Sequence, residues 1–250
     1  MRFFIITKKQ IICCAVAVLS VIAIALTSTH IFATSERKLP IYCVECEKKQ
    51  IAISFDAAWG NDDTETLIEI LGQYKVPATF FVVGAWVDKY PESVKALSDA
   101  GHQIQNHSNT HPYMTKLSKT QMADEIKSCN QKIKAITGKT PTLLRPPYGD
   151  YDNCVIEVAK SLKMDTIQWD TDSLDWKDNA TAESIANRVI SKVKPGSIIL
   201  CHNDAEHTPE ALPTILKTLK DDGYEFVFIS DLILKDNYTI DNIGKQCKNE

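Results

Sequence analysis

From residue 50 onward, short apolar, β-rich runs alternate with stretches whose apolar positions recur at helical spacing. The runs are IAISF (51–55), ATFFVVG (78–84), HQIQNH (102–107), TLLRPPYG (142–149), DTIQWDTD (165–172), SIILCHN (197–203) and FVFIS (226–230), and they predict seven strands. Helix starts lie between them: Asp62 or Asp63 before TETLIEILGQY, Pro91 opening PESVKALSDAG, and Ser118 opening an amphipathic stretch to Ile136. Thr181 before AESIANRVISKV and Thr208-Pro209 before EALPTILKTLKDDG complete the set. Gly101, Gly138 and Gly223 stand where helix C-caps are expected. Such alternation predicts an α/β fold with a parallel sheet, open or closed as a barrel, and seven units favour a barrel one short of the usual eight.

The pattern changes before residue 34. A flank over 1–10 carries Arg2, Lys8 and Lys9, and residues 11–33 then run without a charged side chain. That length suits a membrane anchor; a signal peptide cut after Ala33 is the rival reading. Both place the rest of the chain outside the cytoplasm, either anchored to the cell membrane through 11–33 or secreted. Residues 34–48 read as a linker, 49–232 as one domain and 233–250 as a polar tail. Among eight cysteines only Cys43 and Cys46 lie close together, while Cys129, Cys154 and Cys201 fall at buried positions of helix or strand patterns.

The chain has 250 residues, 44% hydrophobic and 24% charged, enough for one domain with a proper core. Its net charge of -4 and lack of a basic stripe exclude nucleic acid as a partner. A monomer is expected.

Parallel α/β folds gather reactive groups at the C-terminal ends of their strands. Here the first strand ends at Asp56, the third at His107 with His111 in HSNTH, and the fourth at Arg145 with Tyr148 in RPPYG. The fifth carries Asp170, Asp172, Asp175 and Trp176, and the sixth ends at His202. A core needs no such alignment, so the coincidence points to a site. Two imidazoles suit a divalent ion, and a nearby carboxylate can take a proton from water. His202 can act as general acid if Asp175 keeps it protonated, and Arg145 can hold Asp56 ionised. The set describes metal-assisted hydrolysis of an amide or ester.

SFDAAWG, HSNTH, RPPYG, DSLDW and LCH resemble, in order, the five motifs of the polysaccharide deacetylases, the NodB homology domain of carbohydrate esterase family 4, over residues 49–232. The DAAWGN wording is most similar to the PdaB-like sporulation branch. The resemblance implies a deformed (β/α) barrel and metal-dependent removal of acetyl groups from N-acetylated sugars of peptidoglycan or spore cortex. It implies Asp56 as base, His107 and His111 as metal ligands, Arg145 tuning the base, Asp175 tuning the acid and His202 as the acid. Tyr148 corresponds to an oxyanion-stabilising backbone N–H, and Trp176 and Leu200 to apolar walls around the acetyl methyl. The metal is expected to be zinc, with cobalt or nickel also suited to the ligands. One position departs: Ala57 stands where the family has a metal-binding aspartate, which predicts a weakened site unless water, Asn61, Asp62 or Asp63 substitutes. A glycan-binding or structural spore protein with little turnover is therefore the second reading.

Overall fold

Strand β2 (Gln50–Ala57) is an interior strand of the sheet, with both its faces covered. Ile51, Ile53, Phe55 and Ala57 pack under the helices, while Ala52, Ser54 and Asp56 face the other way into the curl. The computed structural model describes residues 7–9, 12–13, 15–18 and 36–249. The expected anchor at 11–33 lies for the most part outside the described residues, among which no helix is long and apolar enough to cross a membrane. The chain divides into two units, Met1–Arg37 and Lys38–Glu250; all that follows concerns the second.

Its strands, after β1 (Cys43–Val44) and β2, are β3 (Ala78–Val82), β4 (Gln103–Asn106), β5 (Leu143–Leu144), β6 (Asp165–Thr166), β7 (Thr171–Asp172), β8 (Ile198–His202), β9 (Glu225–Phe226), β10 (Tyr238–Ile240) and β11 (Lys245–Lys248). The main sheet runs β6-β5-β4-β3-β2-β8-β7, parallel throughout, and β9 pairs with the start of β2. This is the expected parallel seven-stranded α/β architecture, as a curled half-barrel, but its membership differs from the sequence reading. DTIQWDTD is not one strand: its ends, β6 and β7, lie at opposite edges of the sheet. A flat sheet would hold those edges about 29 Å apart, six spacings of about 4.8 Å. The five steps from Thr166 to Thr171 span at most about 18 Å. The sheet therefore has to curl, and this short connection is the physical reason. FVFIS likewise contributes only Phe226 to the short strand Glu225–Phe226 before a helical turn at Ile229–Leu232.

The expected helices are present at α1 (Thr64–Tyr74), α3 (Pro91–Asp99), α4 (Lys119–Thr137), α6 (Ala182–Lys192) and α7 (Thr208–Asp221). Capping boxes start α4 (Ser118 with Gln121) and α6 (Thr181 with Ser184). Two further helices, α2 (Gly84–Lys89) and α5 (Asn153–Ser161), went unpredicted. The second carried a legible start, since the Asp152 side chain accepts from the Val155 N–H at 2.9 Å.

The linker and tail at 34–48 and 233–250 also differ from expectation. Parallel β1–β11 and antiparallel β10–β11 pairing builds a three-stranded sheet from them. The buried Gln246 fastens it, accepting from the Leu234 N–H at 2.7 Å and donating to the Leu234 carbonyl at 2.8 Å. A short polar strand shows little apolar period, so only its pairing revealed it. Among the described residues no cysteine is in a disulfide; Cys129 and Cys201 are buried as predicted, whereas Cys154 is only half-buried.

Candidate active site

Asp56 and His202 are register partners on the adjacent parallel strands β2 and β8, so two neighbouring strand ends deliver a carboxylate and an imidazole side by side. Arg145 Nη1 donates to Asp56 Oδ1 at 2.7 Å and to Ser54 Oγ at 2.9 Å, and Nη2 donates to the Gln168 carbonyl at 3.2 Å. The guanidinium is fully buried, lying 4.1 Å from the Phe81 ring centre. Burial pushes the Asp56 carboxyl up, but Arg145, then His107 and His202, outweigh it and hold it below its usual range. Asp56 is thus held ionised, with its orientation set by Arg145.

His107, at the end of β4, gives its Nδ1–H to the Arg145 carbonyl at 2.7 Å, which leaves Nε2 as the lone-pair nitrogen, 3.5 Å from Asp56 Oδ2. His111 lies against it with ring centres 5.0 Å apart. Burial holds the His107 imidazole neutral, and burial together with His107 lowers His111 to about 4. The connecting turn puts Ser108 and His111 in the left-handed region, at φ 66° and 61°. Side chains the sequence reading passed over hold it there. Ser108 N–H donates to Asn106 Oδ1 at 2.7 Å and His111 N–H to Ser108 Oγ at 3.0 Å. Glu125 of α4 accepts from the Asn109 and Thr110 N–H groups, each at 2.8 Å.

Across the cleft, Asp175 Oδ1 accepts from His202 Nδ1 at 2.7 Å, and Oδ2 accepts from the His202 N–H at 2.8 Å and from Thr208 Oγ1 at 2.7 Å. Burial opposes charging of His202, but the Asp175 hydrogen bond and charge prevail and raise its pKa. Thr208, read from sequence only as a helix start, is thus a third member of this hydrogen-bonded group. Leu200 is buried on the face of β8 that carries His202, Trp176 stands exposed at the rim, and Tyr148 holds a left-handed φ of 60°. A cleft of about 230 Å³ runs among Trp59, Asp175, Trp176 and His202. A larger cavity of about 940 Å³, lined by Cys43, Trp169, Lys192 and Lys245, contains none of these residues. Asp170 and Asp172 are structural: Asp170 accepts from Ser197 Oγ and the Ile198 N–H, Asp172 from the Leu174 N–H.

The pair His107 and His111 fits a divalent ion in donor chemistry, with two neutral imidazoles and a carboxylate oxygen facing a nitrogen lone pair. It falls one ligand short. Ala57 is fully buried in the helix-facing apolar cluster, and among the described residues no three His, Cys, Asp or Glu are grouped to hold a metal. The substitutes considered from sequence are engaged or turned away. Asn61 donates to Ser93 Oγ at 3.0 Å, Asp62 is exposed, and Asp63 accepts from the Asp204 N–H at 2.8 Å. Asp63 occupies the N-cap of α1 without capping it through its side chain, and burial pushes its pKa up to about 6.

The family model "Polysaccharide deacetylase" matches residues 44–167. The uncharacterized protein YlxY of Bacillus subtilis is 34% identical over 194 residues, 78% of this chain and 60% of its own length, so the chain spans under two thirds of that relative. The peptidoglycan-N-acetylmuramic acid deacetylase PdaA of B. subtilis is 36% identical over 197 residues, 78% of this chain and 75% of the relative. Its structure, a family 4 carbohydrate esterase, superposes with a TM-score of 0.73 over 77% of this chain and 84% of that one at 35% identity. BA3943 of Bacillus anthracis, described as a family 4 pseudoenzyme, gives a TM-score of 0.75 at 32% identity, covering 84% of this chain and 73% of that one.

Proposed function

The chain belongs to the polysaccharide deacetylase family, and from that premise we propose that it removes acetyl groups from N-acetylated sugars of peptidoglycan or spore-cortex glycan, outside the cytoplasm and in connection with sporulation. The observation that carries this reading is the pairing of Asp56 and His202 on neighbouring strands, each with its own tuning partner, Arg145 and Asp175. His107 and His111 would hold a divalent ion, zinc, cobalt or nickel. When bound, such an ion polarises the acetamide carbonyl and acidifies water. Asp56, ionised and oriented by Arg145, accepts the proton of the attacking water. The Tyr148 backbone N–H donates to the carbonyl oxygen as charge develops there. His202, kept protonated by Asp175, donates from Nε2 to the departing amine. Leu200 and Trp176 supply apolar surface for the acetyl methyl.

A second reading, a glycan-binding protein with little turnover, rests on Ala57. Acetate release from peptidoglycan fragments by the purified full-length protein, with zinc or cobalt added, separates the two. Release supports the enzyme; no release together with no metal binding rules it out. Ala57→Asp adds the missing donor, and a gain in zinc affinity of about tenfold or more is expected, accompanied by lower stability of the metal-free protein because a carboxylate enters an apolar cluster.

A further inference from the structure

Within residues 38–249 five large apolar side chains are exposed, and four of them are aromatic rings at the rim of this one site: Trp59 (54%), Tyr113 (54%), Tyr148 (58%) and Trp176 (55%). Incidental exposure is scattered and includes aliphatic residues; here only Ile243 lies elsewhere. Three of the rings form a row with His111. Trp59 meets His111 edge to face with centres 5.7 Å apart, His111 meets Tyr148 at 4.5 Å, and Tyr148 stacks on Tyr113 at 4.3 Å and 16°. Stacking covers one face of Tyr113 and leaves the other to solvent. Neither Trp59 nor Tyr113 has a proton, metal or oxyanion to handle, so the chemistry of the site does not explain them.

We propose that Tyr113 and Trp59, which the chemistry of the site leaves without a role, bind the pyranose rings that flank the acetylated sugar; this rests on the deacetylase reading above. A pyranose offers an apolar face of C–H groups that matches the negative face of an aromatic ring, while its equatorial hydroxyls stay hydrated. Flat exposed rings select that shape where leucine or isoleucine would not. The row runs from Trp59 through His111 and Tyr148 to Tyr113, so a strand whose reacting sugar lies between Asp56 and His202 meets Trp59 and Tyr113 at the two ends of the row.

Titration calorimetry of the full-length protein with β-1,4-linked N-acetylglucosamine dimers and pentamers tests this without turnover. The wild type should bind the pentamer more tightly than the dimer. Tyr113→Ala and Trp59→Ala should each shrink that preference roughly three- to tenfold, and Tyr113→Phe should retain it. Equal losses for dimer and pentamer in Tyr113→Ala would show that Tyr113 only braces Tyr148 and would overturn the proposal. A wild type that binds neither oligomer, or both equally, would overturn it too. Both side chains are exposed, so the variants should melt like wild type by circular dichroism. Absent acetate release alongside an intact length preference would instead sink the deacetylase reading and leave the flanking subsites standing.

Discussion

At the scale of single residues, Asp56 and His202 each carry a charge that a partner defends against burial, whereas burial keeps His107 and His111 neutral. Arg145 outweighs the burial of Asp56, and Asp175 outweighs the burial of His202. A buried charge pair of this kind is costly to break, about 3–5 kcal/mol when one partner is removed, which is why Arg145 also needs Ser54, Gln168 and the Phe81 face around it. For His202 the sign is clear: a raised pKa keeps the proton to higher pH, and acid catalysis fades as pH rises through it. In Asp175→Asn the lowering effect of burial remains without its opponent. The His202 titration, followed by imidazole proton NMR, should therefore move to lower pH, and the alkaline limb of the acetate-release profile should move with it. An unshifted titration would mean that Asp175 only positions the ring.

At the scale of elements, α4 aims the two metal-candidate histidines although it contains neither. Its capped N-terminus fixes the helix, and Glu125, Ile126 and Asn130 hold the turn from Asn106 to His111. Left-handed φ at Ser108 and His111 costs roughly 1–3 kcal/mol per residue, so the turn needs these bonds to persist. Glu125→Ala removes the acceptor of two backbone N–H groups. Zinc affinity, measured by calorimetry, should fall about 10- to 100-fold with His107 and His111 both intact. Unchanged affinity would show that the turn holds its shape through Ser108 and Asn106 alone.

At the scale of the molecule, the curl of the sheet brings five strand ends into one cleft, and the terminal segments brace the curl. Ile41 bridges Ile167 in the connection between the two edges, and β11 pairs with β1 beside it. Deleting residues 234–250 removes β10, β11 and both Gln246 bonds, and should lower unfolding stability by at least about 2 kcal/mol in denaturant titration. Unaltered stability would make that sheet an ornament on an independent barrel.

The alternation of the main strands with five of the helices, the polar residues at the strand ends and the alanine at position 57 were legible in the sequence, because period and motif spacing are local properties of the chain. The splitting of DTIQWDTD was not, since a strand and an edge-to-edge connection can share one composition until pairing decides between them. The folded tail, the Glu125 and Thr208 supports and the row from Trp59 to Tyr113 are contacts between residues far apart in the chain. Only the tertiary structure could decide them, because distance in space, and not position in sequence, determines which donor meets which acceptor and which rings share a face.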